Sequence, residues 1–251
     1  MSGHSKWANI KHKKARSDEK RGKEFTKVAK EITIAVKSGG SGDPESNAKL
    51  KLAIQKAKSI NMPNENITRA IKKGTGEIQS EALEEFCYEG YGPGGVAIML
   101  DIATDNRNRT APDIRHLFSK HNGNLGESGC VSWMFKRVGI ISINKADAPD
   151  EEELILLALE CGAEDVQDEG DTYDIITSTD NFLEVKEALE KAGLTIAEAD
   201  LDMLPENQVE INNVDTALKV IKLIDLLEDH DDVQKVYTNM SLTEDVLNKL
   251  N

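Results

Sequence analysis

The chain has 251 residues, a formal net charge of −14, 39% apolar residues, 4% aromatic residues and three cysteines. Its apolar runs fall short of the roughly 18 residues a spanning helix needs. The amino terminus lacks the apolar region of a secretory signal, and Cys87, Cys130 and Cys161 stand singly. An integral membrane protein, a disulfide framework and a zinc ribbon are therefore not expected, and the location is expected to be cytoplasmic.

The charge is uneven. Residues 1–80 hold 18 Lys/Arg against 8 Asp/Glu, residues 104–145 seven against three, and residues 146–251 six against 29. A basic head and a smaller basic middle thus precede an acidic tail, which a solvated surface also explains.

In chain order, Ser17 is positioned to cap a helix with Asp18 and Glu19 in its first turn. Phe25, Val28, Ala29, Ile32, Ala35 and Val36 form one apolar stripe, with Lys20, Lys23, Lys27, Lys30 and Lys37 opposite. Ser38–Gly42 stops it. Asp43-Pro44-Glu45 reads as the start of a second helix, and Pro63-Asn64 as the break before a third that ends ahead of Gly74. From about 77 the pattern turns to strands: 86–88, 96–103, 125–135 and 138–143, with a helix capped by Thr110 between the second and third. Residues 138–204 read βαββαβ, the ferredoxin-like order, with a hairpin at Glu169-Gly170-Asp171. A helix near 215–228 and a strand near 233–238 follow.

These elements predict an α+β protein: an N-terminal helical bundle plus two α/β sandwich domains, one ferredoxin-like and inserted in the other. The expected boundaries are 1–76 for the basic helical domain, 77–136 with 206–251 for the central domain, and 137–205 for the inserted acidic domain.

Gly90-Tyr91-Gly92-Pro93-Gly94-Gly95 matches G-x-G-x-x-G, but a strand-like run follows it where a dinucleotide site needs a helix. It reads as a hairpin. The five histidines contain no HExxH, the acidic run 168–174 lacks calcium-loop spacing, and Asp231-Asp232 reads as a solvated helix end. No catalytic residues, metal ligands or cofactors are predicted, so the expectation is a protein that is not an enzyme and has no small-molecule substrate.

Polyanion binding fits the remaining pattern. Lys and Arg match phosphates, and each contact releases a counterion. Candidates in the head are Lys6, Lys11, Lys13, Lys14, Arg16, Lys20, Arg21, Lys23, Lys27 and Lys30. Trp7 and His12 could stack on bases, although packing against the bundle is the simpler role for Trp7. Arg107, Arg109 and Arg115 form a second group, two of them beside a helix N-terminus where forked guanidinium groups and backbone N–H groups suit phosphate. Asn106 or Asn108 could instead serve only the turn.

Four blocks, GHSKWANIKHKKARSDEKRGKEFTK at 3–27, LAIQKAKSINMPNENITRAIKKGTG at 52–76, YEGYGPGGVAIML at 88–100 and TDNRNRTAPDIRHLFSKHNGNLGESGCVSWMF at 104–135, resemble the YebC/PmpR family. The resemblance runs along essentially the whole chain, and beyond about 140 it is one of layout. It implies a three-domain α+β protein and a cytoplasmic, DNA-binding transcriptional regulator. Related mitochondrial translational activators imply the alternative, a ribosome-associated translation factor that binds ribosomal RNA and relieves stalling at proline-rich stretches. Either way the expected partner is nucleic acid, with no membrane partner; the sequence leaves the oligomeric state open.

Overall fold

The apolar stripe read in the head becomes the buried side of a 22-residue helix, α1 (Asp18–Gly39), in the computed structural model, which describes residues 18–79 and 81–250, with side chains from 21. Val28, Ile32, Ala35 and Val36 meet Leu50, Ala53 and Ala57 of α2 (Ala48–Ser59) and Ile67 and Ala70 of α3 (Asn64–Thr75). Each face is too small to fold alone, so the three helices share one core.

Two boundaries differ from expectation. Asp43 caps only a turn, accepting from the Glu45 N–H at 3.0 Å, and the helix starts after Asn47. The buried Asn47 amide donates to the carbonyls of Ala35 (2.8 Å) and Ser41 (2.9 Å), and its oxygen accepts from the Leu50 N–H at 3.1 Å. It therefore ties α2 to the end of α1. Asn47→Ala removes all three bonds and strands buried groups, so it should cost about 2 kcal/mol in urea unfolding; a loss under 0.5 kcal/mol would contradict this role.

The second difference is at Gly74, which lies inside α3. A Cβ there would sit 2.5 Å from Val36 Cβ and 2.9 Å from the Thr33 carbonyl, so glycine permits the close crossing of α1 and α3. The helix instead ends on Gly76 in the left-handed conformation (φ 84°).

Next comes a hairpin of β1 (Glu84–Tyr91) and β2 (Ala97–Thr104), paired from Glu84↔Thr104 to Tyr91↔Ala97. The Gly92 N–H donates to the Val96 carbonyl (2.8 Å) across the glycine-rich turn, as the hairpin reading required. Helix α4 (Arg107–Lys120) follows. The strand expected over 125–135 is only β3 (Asn124–Leu125), which pairs with β1. Beyond it the Gly126 N–H donates to the Glu89 carbonyl, and the buried Glu89 carboxylate accepts from the Gly129 N–H at 2.8 Å. Gly129 has φ +90°, which breaks the extended run expected over 125–135.

Strand β4 (Phe135–Asn144), helix α5 (Glu151–Glu160), the hairpin β5 (Asp165–Asp168) and β6 (Thr172–Thr177), helix α6 (Phe182–Lys191) and β7 (Glu198–Pro205) then build a four-stranded antiparallel sheet. Its order, β5-β6-β4-β7, is the ferredoxin-like one. Phe182 packs on Gly139, where a Cβ would come within 2.3 Å of its ring. Short β8 (Val209–Ile211), helix α7 (Val214–Glu228), β9 (Val233–Thr238), β10 (Met240–Leu242) and α8 (Glu244–Leu250) complete the chain. β9 joins the first sheet, whose order is β3-β1-β2-β9, and β10 pairs with β8 in parallel. The protein is thus α+β.

Contacts divide the chain into two compact units, and the described part of the basic head, with Arg107, Arg109, Arg115 and Lys120 of the basic middle, falls in the one formed by described residues 18–130 and 218–237.

Candidate nucleic-acid interface

Three predicted phosphate ligands of α1 are spent inside the protein. Lys23 Nζ lies 2.8 Å from Asp229 Oδ2 and 3.2 Å from the Asp229 carbonyl. Lys27 Nζ donates to the carbonyl of Glu228. Lys30 Nζ reaches Asp232 Oδ1 (2.8 Å) and the carbonyls of Asp231 (2.9 Å) and Ala103 (3.1 Å). A helix end leaves carbonyls without partners and carries partial negative charge, and the three ammonium groups neutralise it where α7 stops.

Asp232 is the hub of this contact. It is buried, where the sequence suggested a solvated acid. Thr104 and Thr110 hydroxyls lie 3.1 and 2.8 Å from its Oδ2, and Arg109 Nη2 lies 3.2 Å away. Burial alone would raise its pKa, but hydrogen bonds from Lys30 and Thr110, the Lys30 charge and Arg109 outweigh that and hold it down at about 2. Thr110 therefore serves the hub, and the cap of α4 is Asn106, whose side chain accepts from the Arg109 N–H at 3.1 Å. The helix runs one turn further toward its N-terminus than a Thr110 cap implied, because the Asn106 cap and the Thr110–Asp232 bond hold that turn.

Lys27 shows the cost of this arrangement. Burial lowers its pKa to about 8 despite Asp229 and Asp231 nearby. The unfolded chain then binds more protons than the folded one between about pH 8 and 10.5, so stability rises with pH across that window. Lys27→Met should leave stability at pH 7 unchanged or higher and abolish the alkaline gain. A loss above about 1 kcal/mol at pH 7 would contradict it.

Of the other predicted ligands, Lys6, Trp7, Lys11, His12, Lys13, Lys14 and Arg16 lie outside the described residues, as does Ser17, and Lys20 falls on α1 with its side chain undescribed. Arg21 and Arg115 are exposed. Arg107 stacks its guanidinium 4.5 Å above the Phe86 ring, and Arg109 also pairs with Asp105 at 2.9 Å.

Sequence reasoning passed over a further set. Arg69, Lys72 and Lys73 are exposed on α3 and form no ion pair among the described residues. The signal was present: with Ile67, Ala70 and Ile71 on the core side, positions 69, 72 and 73 share the opposite face.

Models of two parts of one family match this chain: the TACO1/YebC protein N-terminal domain over residues 5–77, and the TACO1/YebC second and third domain over 83–240. The chain belongs to the TACO1/YebC family. It is 71% identical over 248 residues to a "Probable transcriptional regulatory protein" of Syntrophomonas wolfei, covering 98% of this chain and 99% of that one. A protein of the same name from Halothermothrix orenii is 58% identical, with 100% and 99% covered. The crystal structure of a conserved hypothetical protein from Aquifex aeolicus matches with a TM-score of 0.87 at 51% identity, covering 96% of this chain and 98% of that one. Within this TACO1/YebC chain, the cations open to a ligand include Arg69, Lys72 and Lys73 of α3 and Arg115 and Lys120 of α4, while the middle of the α1 ridge is an internal clasp.

Proposed function

We propose that this chain is a non-enzymatic regulator of gene expression that binds the nucleic-acid backbone through its helical, Lys/Arg-rich part. The names of its relatives support a regulatory role. The observation that carries the binding role is the set of exposed cations, Arg69, Lys72, Lys73, Arg115 and Lys120, which form no ion pair among the described residues. Unpaired cations remain available to exchange counterions for phosphates. DNA is the partner that the relatives' regulatory names favour.

A second reading, a ribosome-associated factor binding ribosomal RNA, is favoured by the α1–α2 connection. It occupies residues 40–47, longer than the three to four residues of a helix-turn-helix, so recognition by shape and charge fits better than base readout. Promoter-shift and ribosome co-sedimentation assays across a salt series test both. Selective retention of a promoter over competitor DNA at physiological salt supports the DNA reading. Ribosome binding with only nonspecific DNA affinity supports the other, and binding that ignores salt would sink both.

A further inference from the structure

A cleft of about 650 Å3 opens between α1, α3 and the residues Gln79, Glu81 and Leu83 ahead of β1. This size falls within the range of small-molecule sites, ~300–1,000 Å3. Small residues, Gly22, Ala29 and Ala70, keep it open, and Phe25 is the aromatic ring on its wall. That ring also packs against the bundle core, so its exposed face is held in place. Asn66, Gln79 and Thr26 add uncharged donors and acceptors.

Three cations line the cleft, and they differ in availability. The Lys30 ammonium is already bonded to Asp232 and two carbonyls. Arg69 and Lys73 are exposed and have no ion pair among the described residues. Two carboxylates also line it, Asp105 and Glu81; their side chains share a hydrogen bond, and Arg109 lies 2.9 Å from Asp105. An apolar ring, amide groups and two uncommitted cations suit a ligand with a flat face, polar edges and an anionic tail.

We propose that this cleft takes one unpaired nucleotide of a single-stranded nucleic acid. Its base lies on Phe25, its edge meets Asn66 and Gln79, and its phosphate is held by Arg69 and Lys73. Stacking on an aromatic side chain with backbone charge nearby is how single strands are held without a long readout surface. A paired base cannot enter, so the cleft separates unpaired from duplex nucleic acid. The proposal rests on the nucleic-acid reading above for its partner.

Gly22 provides a clean test. A Cβ added there meets nothing within 4 Å, and glycine inside a helix is unfavourable, so Gly22→Leu fills the cleft without disturbing the fold. The full-length protein and this variant would be titrated with adenosine and uridine 5′-monophosphates by NMR. Both would also be titrated with short labelled strands, ribose and deoxyribose, single and duplex, by anisotropy at physiological salt. Adenosine monophosphate should bind the parent more tightly than uridine monophosphate, because the larger purine covers more of the Phe25 ring. Gly22→Leu should weaken the mononucleotide and single strands about tenfold, leave duplex affinity unchanged and not lower the melting temperature. Phe25→Leu should likewise weaken the mononucleotide and single strands and leave duplex affinity unchanged. The sugar of the tighter-binding strand identifies the source.

Mononucleotide and single-strand affinities unchanged in a folded Gly22→Leu variant would overturn the proposal, as would a parent that binds strands but no mononucleotide. A parent that binds mononucleotide at the cleft but no strand of either kind would instead sink the function reading and leave the cleft standing.

Discussion

Asp232→Asn should lower stability by about 3 kcal/mol at pH 7. The carboxylate receives Lys30 at 2.8 Å, Thr110 at 2.8 Å, Thr104 at 3.1 Å and Arg109 at 3.2 Å, and only 6% of its side chain is exposed. Removing the charge leaves the Lys30 ammonium, 82% shielded by its 18% exposure, facing a neutral amide. Breaking one half of a buried ion pair costs more than the pair contributed, because the remaining charge stays desolvated. The effect also has a pH signature. The folded pKa of about 2 lies below the unfolded value of 3.8, so the stabilisation is complete above about pH 4 and is lost as pH falls toward 2. The shift corresponds to about 2 kcal/mol. Urea unfolding from pH 2 to 7 should therefore show a rise of that size in the parent between pH 2 and 4 that the variant lacks. Equal acid limbs would remove Asp232 from the centre of the clasp.

That hub marks the boundary of what the sequence could disclose. Periodicity revealed α1, the hairpin at Gly90–Gly95 and the βαββαβ run, because each depends on neighbours in the chain. It could not reveal that Lys30 meets Asp232 across 202 positions, nor that Arg109 meets it across 123. Both lysine ridge and acid then look solvated, and the basic ridge reads as a binding face when its middle is a structural one. The same logic explains the misplaced caps. Thr110 has the right chemistry for an N-cap, but Asn106 lies one turn earlier, and only the fold gives Thr110 a buried carboxylate to bond. Gly74 and Gly76 look alike as letters. One is set by the approach of Val36 from another helix, the other by a left-handed turn.

The candidate binding residues divide accordingly into those whose loss is felt as stability and those whose loss is felt as affinity. Arg69→Glu with Lys73→Glu should reduce affinity for single strands on the order of a hundredfold at physiological salt. Two phosphate contacts are removed and two repulsive charges are added. The slope of log affinity against log salt should become shallower by about 1.4 for single strands, at ~0.7 per contact. Neither residue has an ion pair among the described residues, so the melting temperature should stay within the range of ordinary surface changes. Lys23→Glu with Lys30→Glu is the contrasting pair. It places two acids against Asp229 and Asp232, so the clasp opens and stability falls first. At a temperature where that variant is folded, its salt slope should match the parent's, since those ammonium groups were never available to phosphate. A slope reduced by the α1 pair and untouched by the α3 pair would reverse the assignment. The clasp would then be a contact that nucleic acid displaces, and α3 a bystander.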